Sequence, residues 1–288
     1  FQIKIMNKKL LITILTIFLS SFIFSQIETP QPSPLSKFSQ KVGLDNVNIE
    51  YSRPSARQRI VFGTLIPFGE KWRTGANENT KITFEDNVKI QNKLIKKGTY
   101  SIYTIPNLNS WNLIFYKKYD NWGLPRDWDD DLVEIEVSAN TISLPFYIET
   151  FTISLNNLNN NGCTLDIFWE NTLVSFNINS LTQDKVVKSI NNTLNDNPSS
   201  QDYYKAAVFY LEEDLDIKKA KLWIDKCSDL RQDLPYWMLN QKALIYHAFG
   251  SVDKSIEIAK KGLKLANETN IKDSINTLKE TLSYVSNN

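Results

Sequence analysis

The segment YSRPSARQRIVFGTLIPFGEKWRTGANE, residues 51–78, gathers the side chains best suited to chemistry. The chain has six arginines, and four of them, Arg53, Arg57, Arg59 and Arg73, fall in these 28 residues, while its 27 lysines are spread along the sequence. Arginine is favoured over lysine where a planar bidentate contact or stacking on a ring is needed. Trp72, Asn77, Glu70 and Glu78 lie in the same segment. Guanidinium groups beside an indole, a carboxamide and carboxylates have the means to hold a small anionic or sugar-like ligand. Arg53, Arg57, Arg59, Trp72, Arg73, Asn77 and Glu78 are therefore the candidate ligand-binding residues. A structural reading competes with this one. Arg53 or Arg73 paired with Glu70 or Glu78 would pin a long loop shaped by Pro54, Pro67, Gly69 and Gly75. A hydrolase acting on glycans or small anionic compounds would use Glu70 or Glu78 with Arg53 and Arg73, but spacing in sequence does not give separation in space.

Other constellations are weaker. Asp127, Asp129 and Asp131 alternate as the start of a calcium loop does, yet Leu132 and Ser138 stand where that loop needs glycine and glutamate, so a solvated acidic turn is expected. His247 is the single histidine, so any Ser-His-Asp or Cys-His device has to draw on it. Its place within a helical stretch reads as packing or surface. No GxxxxGK phosphate loop occurs. No catalytic residue, metal or cofactor is assigned. With 33 Lys plus Arg against 32 Asp plus Glu, the chain has no global field for gripping nucleic acid. An apolar content of 42% with 23% charged residues excludes a disordered chain and a polytopic membrane protein.

The elements that position these groups follow from rhythm. From Met6, a basic start at Lys8 and Lys9 leads into an uncharged run from Leu10 to Phe24, ended by Ser25. Fifteen residues at ~1.5 Å each reach about 22 Å, short of a ~30 Å bilayer core. This is the layout of a signal peptide over residues 1–25, rather than a retained anchor, and it implies a periplasmic or secreted protein. Residues 26–36, with three prolines, read as an extended leader. From there to about residue 180, apolar and polar residues alternate, as in Val47, Ile49 and Tyr51 or Leu165, Ile167 and Trp169. Breakers such as Gly98, Pro106, Gly123, Pro145 and Gly162 fall between the runs. Residues 37–180 are expected to form an all-β sandwich or small barrel. Residues 181–288 switch to a 3.6-residue period, with helices expected near 182–194, 200–213, 216–230, 235–249, 252–266 and 271–285. Ala220 and Ser255, Ile224 and Ala259, and Cys227 and Gly262 are each 35 apart. This part is similar to tetratricopeptide repeats, an all-α helical-repeat domain. Cys163 and Cys227 fall in different halves, and two buried free thiols are expected rather than a disulfide.

The stretch VGLDNVNIEYSRPSARQRIVFGTLIPFGEKWRTGANENTKITF, then KGTYSIYTIPN and Trp111, Ile114 and Phe115, resembles domain-of-unknown-function family 2911 from about Ser36 to Ile178. The matching blocks include Tyr51 to Pro54, Ile66 to Gly69 and Trp72 to Glu78; the acidic run DWDDD and the residues Ala56 to Gln58 depart from the usual pattern. The resemblance implies an exported protein of Gram-negative bacteria, often with a helical-repeat tail, and carries no established activity. The expectation is a non-enzymatic ligand- or protein-binding module of the cell envelope. A protein or peptide partner would lie on the helical-repeat surface and a small anionic or sugar ligand at the arginine-rich loop, with no nucleic acid and no membrane span after signal cleavage. The alternatives are the hydrolase and a carrier of apolar cargo inside the β-domain.

Overall fold

The computed structural model describes residues 29–287. The signal-peptide reading of residues 1–25 lies outside them. Nine strands come first: β1 (Leu35–Val42), β2 (Asp45–Ser52), β3 (Ala76–Phe84), β4 (Val88–Ile90), β5 (Lys93–Ile95), β6 (Gly98–Pro106), β7 (Ser110–Tyr116), β8 (Val133–Asn159) and β9 (Gly162–Ser180). They form one antiparallel sheet in the order β1-β2-β3-β6-β7-β8-β9-β4-β5. β1 starts at Leu35, so the last two residues expected in the leader belong to the sheet.

The sheet folds over on itself because β8 changes neighbours. Its first part pairs with β7, as in Ile135↔Phe115 and Val137↔Leu113. From Thr141↔Val174 onward it pairs with β9 instead. The register slips between Ser143 and Ile148 and again between Ile148 and Thr152, and such bulges bend a strand. Pro145, expected as a breaker between strands, lies inside β8 at this bend, where a missing N–H is tolerated. The two layers are also tied beyond β2: Ala56 N donates to Glu149 O at 2.9 Å and Phe151 N to Pro54 O at 2.9 Å. The result is the expected sandwich-like β architecture. Inward residues of both layers, among them Ile49, Ile82, Phe115, Ile167 and Phe176, meet in one core. At its centre Phe62, Trp72, Trp111, Phe151 and Trp169 interlock, Phe62 lying 4.8 Å from Trp111 and Trp72 lying 5.8 Å from Trp169 between ring centroids. These rings fill the space an apolar cargo would occupy.

Six helices follow among the described residues: α1 (Thr182–Leu194), α2 (Ser200–Glu212), α3 (Ile217–Leu230), α4 (Tyr236–Ala248), α5 (Val252–Thr269) and α6 (Lys272–Asn287). A capping box between Ser199 and Asp202 opens α2, and Asp216 caps α3. Ala220, Ile224 and Cys227 on α3 and their counterparts Ser255, Ala259 and Gly262 on α5 are all buried. At Gly262 a Cβ would press within 2.9 Å of Leu278 Cδ1 and 3.3 Å of Leu239 Cβ, so a side chain there would make Leu278 turn away and Leu239 on α4 give by a few tenths of an ångström. Both cysteines are buried and free. Burial, with Asp166 adding to it, pushes the Cys163 thiol up to about 12. Among the described residues no helix is long and apolar enough to cross a membrane.

Charged groups lock the sheet to α1. Lys185 Nζ donates to Asp45 Oδ2 at 2.7 Å and also contacts Asp86. Gly43 turns the β1–β2 hairpin at φ +61°, and a Cβ there would run into Thr182 Oγ1 and Ser180 Oγ. The Lys185 hydrogen bond, then the Asn87 N–H, hold the Asp86 carboxyl below its ordinary 3.8, while hydrogen bonds to Asp45 and Asp86 raise Lys185 above 10.5. Asp86 therefore stabilises the junction above the ordinary carboxylate range, and this contribution is lost as pH falls through its depressed value. Lys185 keeps its contribution below its ordinary range and loses it only as pH rises through its elevated value. A carbon-detected NMR titration is expected to place the Asp86 midpoint below 3.8, returning towards that value in Lys185→Met. An unchanged midpoint in the variant would show that Lys185 does not hold Asp86.

Candidate functional site

The arginine-rich segment forms a long connection between β2 and β3, and the fold separates its candidate residues. Three of them hold the strand-free residues before β1. Asn77 Nδ2 donates to Ser33 O at 3.1 Å, Arg57 Nη2 to Pro32 O at 3.1 Å, and the Arg53 backbone N–H to Pro34 O at 3.0 Å. The extended leader is thus tethered at three successive carbonyls. The Arg53 side chain crosses to the second layer, with Nε on Phe151 O at 3.1 Å and Nη2 on Thr152 Oγ1 at 2.7 Å. Arg59 folds back on its own loop, donating to Ala56 O at 2.8 Å and Ser55 O at 2.9 Å. Trp72 is part of the core, and its Nε1 donates to Gly75 O at 3.2 Å. Glu78 pairs with Lys81 at 3.0 Å. Among the described residues no hydrogen bond or ion pair joins any two of the seven. The structure therefore does not assemble Arg53 with Glu78 as one catalytic group.

Among the described residues, Arg73 differs from the other three arginines of the segment in that no hydrogen bond or ion pair engages its guanidinium. Trp72 exchanges backbone hydrogen bonds with Thr104 at 2.7 and 2.9 Å, which turns the indole into the core. The flanking residues go to the opposite face, where Lys71 Nζ sits 4.7 Å over the Trp128 ring. Arg73 lies on that face against Gly123: a Cβ on Gly123 would come within 2.8 Å of Arg73 Nη1. Its Nε is shielded from solvent and has no partner, and no other hydrogen bond or ion pair to its guanidinium occurs among the described residues.

Around Gly123 lies a polar cluster that no local sequence pattern announces. Tyr103, on β6, donates to Gly123 O at 3.3 Å. Its hydroxyl oxygen accepts from Asn79 Nδ2 at 2.8 Å and from Asn121 Nδ2 at 3.2 Å. Asn79 Nδ2 also donates to Ser101 Oγ at 3.1 Å. These bonds fix the two carboxamides with their nitrogens inward, and Asn79 Oδ1 and Asn121 Oδ1 are left buried without a donor. Asn79 is only 2% exposed. Burial pushes the Tyr103 hydroxyl up to about 12 in spite of the hydrogen bonds from Ser101, Asn121 and Asn79, so it stays a neutral donor at physiological pH. An orphaned buried donor or acceptor costs roughly 1–3 kcal/mol, more when charged. Arg73, which lies against Gly123, and Asn79 and Asn121, which bond Tyr103, leave one cationic N–H and two carbonyl acceptors without partners. Trp128 packs beside Tyr103, with centroids 5.2 Å apart, and Trp122 is 69% exposed next to Gly123.

The acidic run behaves locally. Asp129 Oδ1 accepts from Asp131 N at 2.9 Å and Asp130 Oδ1 from Trp128 Nε1 at 2.8 Å. Among the described residues no group of three or more His, Cys, Asp or Glu side chains is arranged to hold a metal ion. His247 lies in the last turn of α4 with its ring 5.0 Å from that of Tyr284.

No curated protein matches the chain, and no solved structure does. A sequence family does: the model for the family described as protein of unknown function (DUF2911) matches residues 33–178, which runs from the tethered segment before β1 to Ile178 of β9 and takes in Arg73, Asn79, Tyr103 and Asn121. The chain belongs to this DUF2911 family.

Proposed function

We propose that the protein is an exported, non-enzymatic binding module of the cell envelope. Its β-part takes a small anionic or sugar-like ligand at Arg73, and its helices, paired in the manner of tetratricopeptide repeats, offer a surface to a protein partner. The ligand reading is carried by Arg73 Nε, Asn79 Oδ1 and Asn121 Oδ1, each buried and unpartnered, in residues linked through Tyr103 and Gly123. A ligand that gives an acceptor to the guanidinium and hydroxyl donors to the carboxamides would satisfy all three. The helical reading is supported by the buried small residues at matching positions of α3 and α5.

Trp122 and Trp128 flank the cluster, so binding is expected to change tryptophan fluorescence. Titration of the full chain with D-glucuronate, D-glucose and inorganic phosphate is expected to give a saturable change with at least one probe. Arg73→Gln should weaken it about 10- to 100-fold, the scale of one charge-assisted hydrogen bond. Saturation with equal affinity in Arg73→Gln, or with none of the probes, would contradict the ligand reading.

A further inference from the structure

Charge is unevenly distributed where α3, α4 and α5 meet. Asp225 on α3 serves two lysines: its Oδ2 accepts from Lys221 Nζ at 2.9 Å, and Lys242 Nζ lies 3.4 Å from its Oδ1. Tyr246 donates its hydroxyl to the same carboxylate. Burial alone would raise the Asp225 carboxyl, but the bonds from Lys221 and Tyr246 and the charge of Lys242 hold it below its ordinary 3.8. It therefore stays ionised and is spent within this network. The Lys242 side chain is only 13% exposed, and its ammonium is fixed by donating to Ser228 Oγ at 2.7 Å.

Lys242 lines a cleft of about 230 Å³ between the end of α3, α4 and the start of α5. Ser255 Oγ donates to Ala243 O at 2.7 Å, which sets α5 against α4 and brings the preceding residue of each, Lys254 and Lys242, to the same cleft. Lys254, Glu257 and Lys261 follow one another along one face of α5 and line it together. Lys254 and Lys261 are exposed, and among the described residues neither is engaged in a hydrogen bond or an ion pair. The lining thus sets three ammonium groups against one carboxylate, an excess of two positive charges, while Asp225 behind it is matched by Lys221. The floor is apolar, made by the buried side chains of Leu234, Leu239 and Ile258. At about 230 Å³ the cleft is smaller than the ~300–1,000 Å³ of sites that enclose a free small molecule, so it suits groups presented by a larger partner.

We propose that this cleft receives an acidic segment of a partner protein, two carboxylates meeting Lys242, Lys254 and Lys261 and an aliphatic side chain between them resting on the apolar floor. The inference rests on reading the helices as a partner surface and supplies the chemistry of that partner. The test uses the full chain, the tripeptide acetyl-Glu-Leu-Glu-amide, its neutral analogue acetyl-Gln-Leu-Gln-amide, and succinate, followed through the carbon-13 and proton shifts of the lysine side-chain CH₂ groups next to nitrogen. The acidic tripeptide should shift Lys242, Lys254 and Lys261 saturably, and added sodium chloride should weaken it. The double variant Lys254→Gln, Lys261→Gln changes two exposed side chains and should weaken binding about fivefold, the scale of two exposed ion pairs. Glu257→Gln removes the opposing carboxylate and should strengthen it. Lys260→Gln with Lys264→Gln, which removes the same charge from α5 outside the cleft, should leave the affinity within about twofold. Shifts elsewhere on α1 to α6 with these three lysines unmoved would overturn the inference and leave the helical partner reading standing. Equal binding of the neutral tripeptide, equal affinity in the Lys254→Gln, Lys261→Gln variant, or no saturable shift would overturn it as well. Succinate binding as tightly as the tripeptide would assign the cleft to a small dianion and overturn the partner assignment.

Discussion

Replacing Trp169 with alanine destabilises the β-layers by roughly 3–5 kcal/mol, the cost of deleting a large buried ring from a core that cannot collapse around the void. Trp169 is 2% exposed. It stacks on Trp72 and meets Phe151 edge-on, with centroids 5.8 and 5.4 Å away, and its Nε1 donates to Glu149 O at 3.0 Å. Glu149 O keeps a second donor, Ala56 N, so the loss is one of packing more than of an orphaned carbonyl. Urea unfolding followed by circular dichroism measures the change. Trp122→Ala is the control, since an indole 69% exposed should cost no more than about 0.5 kcal/mol. A Trp169→Ala cost below about 1 kcal/mol would mean that the five-ring cluster is not the centre of the core.

The second large effect belongs to a residue with no side chain. Gly162 opens β9 after the turn from β8, and a Cβ there would overlap the Ile178 carbonyl oxygen and approach Ile178 C at 3.1 Å. That obstacle is the backbone of a strand held by β4 through Ile90↔Ile178, so no side-chain rotation relieves it. Gly162→Ala is expected to cost about 3 kcal/mol, the upper part of the range for overpacking. Gly250 gives the contrast. It sits at φ +88° with nothing within 4 Å of the added atom, so Gly250→Ala meets backbone strain alone and should cost about 1 kcal/mol. Equal costs at the two sites would show that the close approach of β9 to its own first residue is absent.

The change of period near residue 180 was legible because burial imposes it directly: β9 ends at Ser180 and α1 begins at Thr182. The family blocks and the concentration of arginines were legible as composition. The partners of those arginines were not. Arg53 spends its guanidinium on Phe151 and Thr152, almost a hundred residues away. Asn79, Tyr103 and Asn121 come from β3, β6 and the connection after β7, and only the sheet order brings them together. The β4–β5 turn carries no glycine or proline to mark it, because Gln91 and Asn92 adopt positive φ themselves. Pro145 misled in the other direction, since a proline marks a bend in a long strand as readily as its end.

The most direct test of the Arg73 site is nitrogen-15 NMR of the arginine Nε–H groups, of which the chain has six. Arg73→Lys identifies the Arg73 resonance by its disappearance. On titration with D-glucuronate that resonance should shift saturably and its exchange with water should slow, while those of Arg53 and Arg59, already engaged on backbone carbonyls, stay in place. A titration that leaves Arg73 unmoved, or that moves Arg53 and Arg59 in its stead, would contradict the assignment.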